Sequence, residues 1–519
     1  MSEYQNNIWS LVGESFQNQP DHLAWICRQN RKDATQYRYG EIRNYALTTA
    51  SKLREQGVGI GDMVGVMAPN GPHWTVAALA VWKVGGVVAP VHVGNSDHEI
   101  EQQIKAVEPK LILVDGIKNP PPGAVPIELE ADSERVDAER QQDALQNPDH
   151  EAVRIYTSGS TGVPKMVRLS HRNITSNVIA GSKMAILDSQ DRYLSLLPFS
   201  HAMGLTGVLL LPMYAGSTMV LPKVLAANEI LAAMAEEKIT VIIAVPRLFR
   251  NIMIGLEKRF TEGGKAMMYY RQFLKLLPLS LRRLVNFPIR RHFGGPLKCW
   301  MSGGSRLDPE ITRFFHDIGI PLRQGYGLTE TSPVVAVQED FDRVLDSVGK
   351  PVQEVEVKIH EPNDEGSGEL WVKGPNVMLG YVDEGQTRDV IEDGWFKTGD
   401  IARTDAAGNI TLTGRSKRLI VTEAGKNVYP EELETLLERD PTVKEAAVIE
   451  VDMKPAALMA MEGDDPKEGA KNVLKDFNKL VSKHNQITRF ALVDELPRTP
   501  LGKIALSVLG DVFAENEIS

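Results

Sequence analysis

The run Tyr156-Thr157-Ser158-Gly159-Ser160-Thr161-Gly162-Val163-Pro164-Lys165 concentrates four aliphatic hydroxyls, two glycines and a lysine in a stretch the size of a phosphate-binding loop. Glycines let backbone N–H groups come close to phosphate oxygens, hydroxyls add donors, and Lys165 supplies a point charge. The spacing is not that of a Walker loop, because Val163 and Pro164 separate Gly162 from the lysine. A flexible surface loop has the same composition, so the flanks decide. Apolar residues 152–156 read as a buried strand leading in, and Ser170 to Asn173 as a cap that opens a helix.

Four further clusters have the makings of a nucleotide site. Ser302-Gly303-Gly304-Ser305 follows an apolar run and leaves room for a flat base against the backbone. Gly325-Tyr326-Gly327-Leu328-Thr329-Glu330-Thr331 combines an aromatic face, hydroxyls and a carboxylate, the groups a purine and a magnesium ion require. Trp395-Phe396-Lys397-Thr398-Gly399-Asp400 ends in a carboxylate suited to two ribose hydroxyls. Gly414-Arg415-Ser416-Lys417 and Pro500-Leu501-Gly502-Lys503 add cations for phosphate. Each alone could be an ordinary turn; their joint occurrence is what carries the reading.

The elements that must position these groups follow from pattern and composition. With 519 residues, 42% hydrophobic and 24% charged, the chain has room for two to four domains and a large core. Its net charge of -10 argues against nonspecific nucleic-acid binding. Cys27 and Cys299, far apart and in no ligand spacing, fit two buried free thiols in a reducing compartment. No signal peptide is visible at the amino terminus, which points to a cytoplasmic protein. Residues 193–222 lack Asp, Glu, Lys and Arg and are long enough to span a bilayer, but Pro198, Gly204, Gly207, Pro212 and Gly216 interrupt them. A buried strand at 194–199, then a turn and a helix, is the expectation. Short apolar runs at 63–68, 86–91, 111–114, 241–245 and 299–302 alternate with helical patterns, which predicts a wound α/β domain. Gly57, Gly59 and Gly61 precede the first of these runs, so they read as a turn and not as a dinucleotide fingerprint. After Val348 the texture becomes β-rich, with strands at 355–359, 368–372 and 409–413. From about Gly414 a small α+β unit is expected, with a helix opened by Pro430, strands at 446–451, 456–461 and 489–493, and a helix at 466–482.

Taken in order, these motifs resemble the superfamily of AMP-forming adenylating enzymes, which includes acyl-CoA synthetases, luciferases and peptide-synthetase adenylation domains. The resemblance covers nearly the whole chain and implies an amino-terminal adenylation domain, residues 1–414, and a small mobile carboxy-terminal domain, residues 415–519, with its hinge near Lys417. It implies ATP, Mg²⁺ and CoA as the cofactors. Thr157, Ser158, Gly159, Ser160, Thr161, Gly162 and Lys165 would form the phosphate loop. Gly303, Gly304, Ser305, Tyr326 and Gly327 would hold adenine; Thr329 the nucleotide; Glu330 and Thr157 the metal; Asp400 and Arg415 the ribose. Lys503 would contact carboxylate and phosphate during adenylation, and His201 would stand near the carboxylate and the thiol entrance. Residues 423–428, including Gly425, would face the pantetheine arm after the small domain rotates. Met166 and Arg306 depart from the family pattern, where glycine and proline are common, but neither change removes a catalytic group.

Amino-acid-activating relatives place an aspartate just after the Phe of Pro198-Phe199, where this chain has Ser200. A buried ammonium would lack its counter-charge there, which favours an apolar acid. Residues 425–434 and 245–248 and the insertion before Ser302 resemble the long-chain fatty acyl-CoA ligase branch. Residues 247–298 carry twelve Lys/Arg against Glu257 and Glu262, with interleaved apolar residues, and are expected to meet lipid headgroups, an acyl carrier protein or CoA phosphates, or to be a solvated face over a helical pair. The expected activity is thioester synthesis from a medium- or long-chain fatty acid. The alternatives are an acyl-AMP or acyl-carrier-protein ligase, an aryl-acid CoA ligase, and an inactive nucleotide-binding homologue.

Overall fold

The computed structural model describes residues 7–30, 33–142, 147–157, 165–262, 264–278, 281–282, 285–295, 297–422, 426–498 and 504–518, without the side chains of 264–268, 271, 288 and 292. The chain divides into two compact units. The first comprises Met1–Thr157, Met166–Glu356 and Lys373–Gly394; the second comprises Ser158–Lys165, Val357–Val372 and Trp395–Ser519.

Two wound sheets build the first unit, as expected for an α/β protein. One runs in the order Gly380–Tyr381, Lys165–Ser170, Glu151–Thr157, Val87–Pro90, Met63–Met67, Leu111–Val114, Val125–Pro126. Its central strands are parallel, and Met63–Met67 and Val87–Pro90 are fully buried, which is why they read as unbroken apolar runs. The other is nine-stranded, with Leu322–Gly327, Cys299–Ser302, Val241–Ala244, Arg192–Leu194, Thr218–Leu221 and Leu23–Arg28 in parallel at its centre. Helix Pro246–Glu262 seats Phe249, Ile252, Leu256 and Phe260 on this sheet at helical spacing, and Phe249 packs against Trp300 and Phe315.

Gly57, Gly59 and Gly61 form the expected turn, with positive φ at Gly57 and Gly61 and Asp62 accepting from the Gly59 N–H. The strand expected at 194–199 is shorter: pairing covers only Arg192–Leu194. Beyond it the amide of Asn70 replaces the ladder, donating to Ser195 Oγ (3.1 Å) and Leu197 O (2.8 Å) and accepting from the Phe199 N–H (3.0 Å). A π-helical turn Gly204–Leu210, helix Leu211–Ala215 and strand Thr218–Leu221 complete this apolar segment. Among the described residues no helix is long and apolar enough to cross a membrane. Cys299 is buried and Cys27 half-buried; burial pushes their thiols up to about 11 and about 12, so neither offers a reactive thiolate.

In the second unit, Gly368–Lys373, Trp395–Thr404 and Ile410–Arg415 pair antiparallel. The carboxy-terminal portion has a four-stranded sheet, Val443–Val451, Lys454–Met461, Arg489–Leu492 and Glu517–Ile518, packed by helices Pro430–Leu437 and Pro466–Leu480 around Leu433, Val448, Met459, Val473 and Phe477. Its first hairpin closes through Asp452 and Met453, both at positive φ, a two-residue turn that matches strand twist.

His171, buried at the head of helix His171–Ala185, accepts from the Ile8 N–H through Nδ1. Burial, with His150 adding to it, holds its pKa down to about 3, against an ordinary 6.5. Between those values the unfolded chain binds a proton that the folded chain refuses, so this stability is present above pH 6.5 and is lost as pH falls. His171→Gln is expected to shrink the stability difference between pH 7 and pH 5 by about 2 kcal/mol. Urea titrations at the two pH values check this; an unchanged difference contradicts it.

Candidate functional site

The candidate loops described in the first unit leave the carboxyl ends of strands: His92 after Val87–Pro90, 195–201 after Arg192–Leu194, 303–305 after Cys299–Ser302, and 328–331 after Leu322–Gly327; the hydroxyl-rich run follows strand Glu151–Thr157 in the chain. Wound sheets bind ligands at these ends.

The Tyr326–Glu330 region is the most firmly held. Gly327 has no alternative, since a Cβ there would lie 1.7 Å from Pro333 O. Thr329–Thr331 forms a short 3-10 turn in which Leu328 N–H donates to Thr331 Oγ1 (3.0 Å) and Thr331 Oγ1 donates to Pro333 O (2.7 Å). Asn177 and Asn376 both donate to Val334 O (2.9 and 3.0 Å), Asn376 also to Thr331 O, and Val334 N–H returns a bond to Asn177 Oδ1. Thr206 donates to Ser332 O and Ser332 to Asn376 O. On this base the Glu330 carboxylate accepts a 2.8 Å hydrogen bond from the buried Tyr381 hydroxyl, and Met378 N–H donates to Glu330 O. Burial first, and the Glu330 charge second, push the Tyr381 phenol well above its ordinary value, so it remains a donor.

Tyr381 is tied in turn to the strand that leaves the hydroxyl-rich run. Tyr381 pairs with Val167 and Gly380 with Arg168, and Val382 N–H donates to Met166 O. Ser170 caps the following helix by accepting from Asn173 N–H, as expected from sequence, and Asn173 Oδ1 accepts from Ser170 N–H to complete a capping box. Thr157 and Lys165 are half-buried at the two rims of the run. Ser158, Gly159, Ser160, Thr161 and Gly162 lie outside the described residues, as do Gly425 and Lys503.

Gly303 N–H donates to Ala244 O, Gly304 has a φ of +85°, and a Cβ on Gly303 would come within 2.8 Å of Met203 Sδ. This fits a close backbone approach, with Met203 against the glycine pair and Ser305 exposed beyond it. His201 packs beside His92, ring centroids 5.4 Å apart, and His92 Nδ1 lies 2.9 Å from Ser200 Oγ. Burial lowers the His92 pKa, which keeps the ring neutral near pH 7.

In the second unit, Asp400 and Arg415 face each other across paired strands, and Arg415 Nε binds Asp400 Oδ1 at 3.1 Å. Asp400 is buried while Arg415 is about half exposed. The Asp400 loop is fixed by Thr398, which donates to Leu370 O and accepts from Asp400 N–H, and by Glu369, which accepts from Gly399 N–H and from Trp371 Nε1. Lys417 is exposed in the turn Ser416–Arg418. Directly after it, the Arg418 guanidinium is gripped by Glu431 (3.0 Å) and Glu434 and donates to Val448 O.

A family model of AMP-binding enzymes matches residues 12–382. The chain belongs to this family. The long-chain-fatty-acid–CoA ligase FadD15 of Mycobacterium bovis is 28% identical over 498 residues, covering 87% of this chain and 81% of that protein. The indoleacetate–CoA ligase of Aromatoleum aromaticum is 28% identical over 501 residues, covering 90% and 91%. Among solved structures, the o-succinylbenzoate CoA synthetase (MenE) of Bacillus subtilis with its acyl-adenylate intermediate superposes with a TM-score of 0.77 at 24% identity, covering 97% of this chain and 98% of that one. The same enzyme has been captured with ATP and a magnesium ion.

Several groups that organise this AMP-binding enzyme carry no motif of their own: Tyr381, Asn70, Asn177, Asn376, His92, Glu369 and Arg418. Their only sequence signal is a polar residue within an otherwise apolar or turn segment. Tyr381→Phe deletes the donor to Glu330 with almost no change of shape. A hydrogen bond to a charged group contributes about 1.5–3 kcal/mol, so the variant is expected to melt at a lower temperature and to bind magnesium–ATP about 10- to 100-fold more weakly. Calorimetric titration checks this, and wild-type affinity in the variant would contradict it.

Proposed function

We propose that this enzyme activates a carboxylic acid with ATP and transfers the acyl group to the thiol of CoA. The observation that carries the reading is the fixed Glu330 carboxylate, bonded to Tyr381 on the strand paired with the exit of the phosphate loop. In the first half-reaction the acid's carboxylate oxygen attacks the α-phosphorus of ATP, an O–P bond forms, and pyrophosphate leaves. Three anions converge there, so the barrier is mainly electrostatic. On this reading Lys165, Lys503 and the hydroxyls and backbone N–H groups of 157–162 would neutralise them. Among the described residues no group of three or more His, Cys, Asp or Glu side chains is arranged to hold a metal ion; a magnesium ion would rest on the Glu330 carboxylate and the Thr157 hydroxyl, hard oxygen donors suited to that ion, with nucleotide phosphates completing its shell. Such an ion would supply charge neutralisation at the phosphates. By the family resemblance Tyr326, Gly303 and Gly304 would hold adenine, and Asp400 and Arg415 the ribose.

In the second half-reaction the thiol attacks the acyl carbon and AMP leaves. A turn of the carboxy-terminal domain about Lys417 would exchange Lys503 for the 423–428 segment. The ion pairs support this hinge: Arg415 is held by Asp400 on one side and Arg418 by Glu431 and Glu434 on the other, leaving Ser416 and Lys417 between two anchors. Lys503→Ala is then expected to abolish adenylate formation while sparing thioester formation from supplied acyl adenylate. Equal loss of both would contradict the role given to Lys503.

For the acid, we favour a medium- or long-chain fatty acid. Ser200 provides no counter-charge for an amino group, and the neighbouring Phe199, packed on Trp74 and Trp25, and the buried 204–211 segment are apolar. An aryl acid is the second reading, favoured by the neutral His92 imidazole beside His201 and by the indoleacetate and o-succinylbenzoate ligases among the relatives. Pyrophosphate release across acetate, octanoate, palmitate, benzoate and cinnamate, with CoA or an acyl carrier protein as acceptor, separates these. Release with octanoate and palmitate and a CoA thioester product is expected. Release only with benzoate or cinnamate assigns an aryl acid, and no release with any acid overturns the activity.

A further inference from the structure

Helix Gly264–Leu276 carries two apolar stripes where seating a helix needs one. Tyr270 and Leu274, continued by Leu277, turn inward: Tyr270 donates to Val285 O at 2.8 Å, and Leu274 is fully buried in the main core. Tyr269, Phe273 and Leu276 repeat the same spacing one residue earlier and face outward, 61%, 49% and 83% exposed. Leu281 and Phe287 add outward apolar surface just beyond. Among the described residues, Tyr269, Phe273 and Phe287 are the Phe, Tyr and Trp side chains that are exposed, so the chain concentrates them in one region.

The same region reverses the sign of the protein. Residues 247–298 hold twelve Lys/Arg against two Glu in a chain of net charge -10. Some of these cations have internal duties. Lys275 and Arg282 flank Asp317 at 2.9 and 3.7 Å, Arg282 also donates to Leu277 O, Arg290 donates to Gly295 O, and Lys298 binds Asp188 and Asp191. Two cations share the one Asp317 carboxylate, and Arg247, Lys258, Arg259 and Arg291 are exposed, Lys258 at 3.8 Å from Glu262.

We propose that this face docks on an anionic lipid bilayer, with Tyr269, Phe273, Leu276, Leu281 and Phe287 entering the headgroup–acyl boundary and the basic side chains meeting the headgroups. Outward aromatic and leucine side chains beside lysine and arginine are the chemistry of helices that lie in the membrane interface. A second copy of the chain fits worse, because face-to-face contact would set this positive region against itself. The inference does not depend on the reaction proposed above.

Cosedimentation of the full chain with vesicles tests it, comparing phosphatidylcholine alone with phosphatidylcholine mixed with phosphatidylglycerol. Binding to the mixed vesicles only, falling as salt rises, is expected. The triple variant Tyr269→Ser, Phe273→Ser, Phe287→Ser should bind at least about tenfold more weakly, and Lys258→Glu and Arg291→Glu each about fivefold or more. Melting curves should stay unchanged, since these side chains lie outside the core. Absence of anionic-vesicle binding, or wild-type binding by the triple variant, overturns the proposal. So does an oligomer that the triple variant dissolves, or an acidic carrier protein that takes the patch while vesicles do not.

Discussion

One hydrogen bond, from the Tyr381 hydroxyl to the Glu330 carboxylate, joins the two sheets of the first unit where their strands end. Tyr381 belongs to an edge strand of one sheet and Glu330 to the loop that turns between two strands of the other. A buried phenol whose pKa is driven upward keeps its proton, so it remains a donor that aims the carboxylate. Gly327 gives Pro333 O room to approach, and the amides of Asn177 and Asn376 and the hydroxyls of Thr331 and Thr206 satisfy backbone groups of the same loop, while Ser332 ties it to Asn376 O. A buried backbone group without a partner is costly, so this network leaves the loop essentially one conformation.

The second unit applies the same economy around the proposed hinge. Asp400 is immobilised by Thr398, Glu369 and Arg415, and the next anchored cation, Arg418, already belongs to the carboxy-terminal helix and sheet. Ion pairs stand on both sides of Ser416 and Lys417, where the proposed hinge would turn. A hinge placed this way could change what meets a substrate without disturbing the groups that hold it.

Sequence alone located the strands that are continuously buried. The runs at 111–114 and 299–302 coincide with their strands, because burial on both faces demands unbroken apolar residues. It misjudged 194–199, where an asparagine more than 120 residues earlier supplies the hydrogen bonds a neighbouring strand would have given. The phosphate-loop composition, the Tyr326 to Glu330 motif and the Asp400–Arg415 pair were visible as residue types in order. What positions them was not: Tyr381 acts through a two-residue strand, and Asn177 and Asn376 converge on Val334 from distant parts of the chain. Local spacing carries no trace of such long-range satisfaction. The second apolar stripe at Tyr269, Phe273 and Leu276 was equally illegible, since inward and outward stripes have the same period.

The central claim is that acid and ATP react before any thiol is needed. Isotope exchange between pyrophosphate and ATP, measured with acid and magnesium but without CoA, tests it most directly. The account predicts exchange that depends on the acid and proceeds in the absence of CoA. Exchange that appears only when CoA is added, or that ignores the acid, would contradict it.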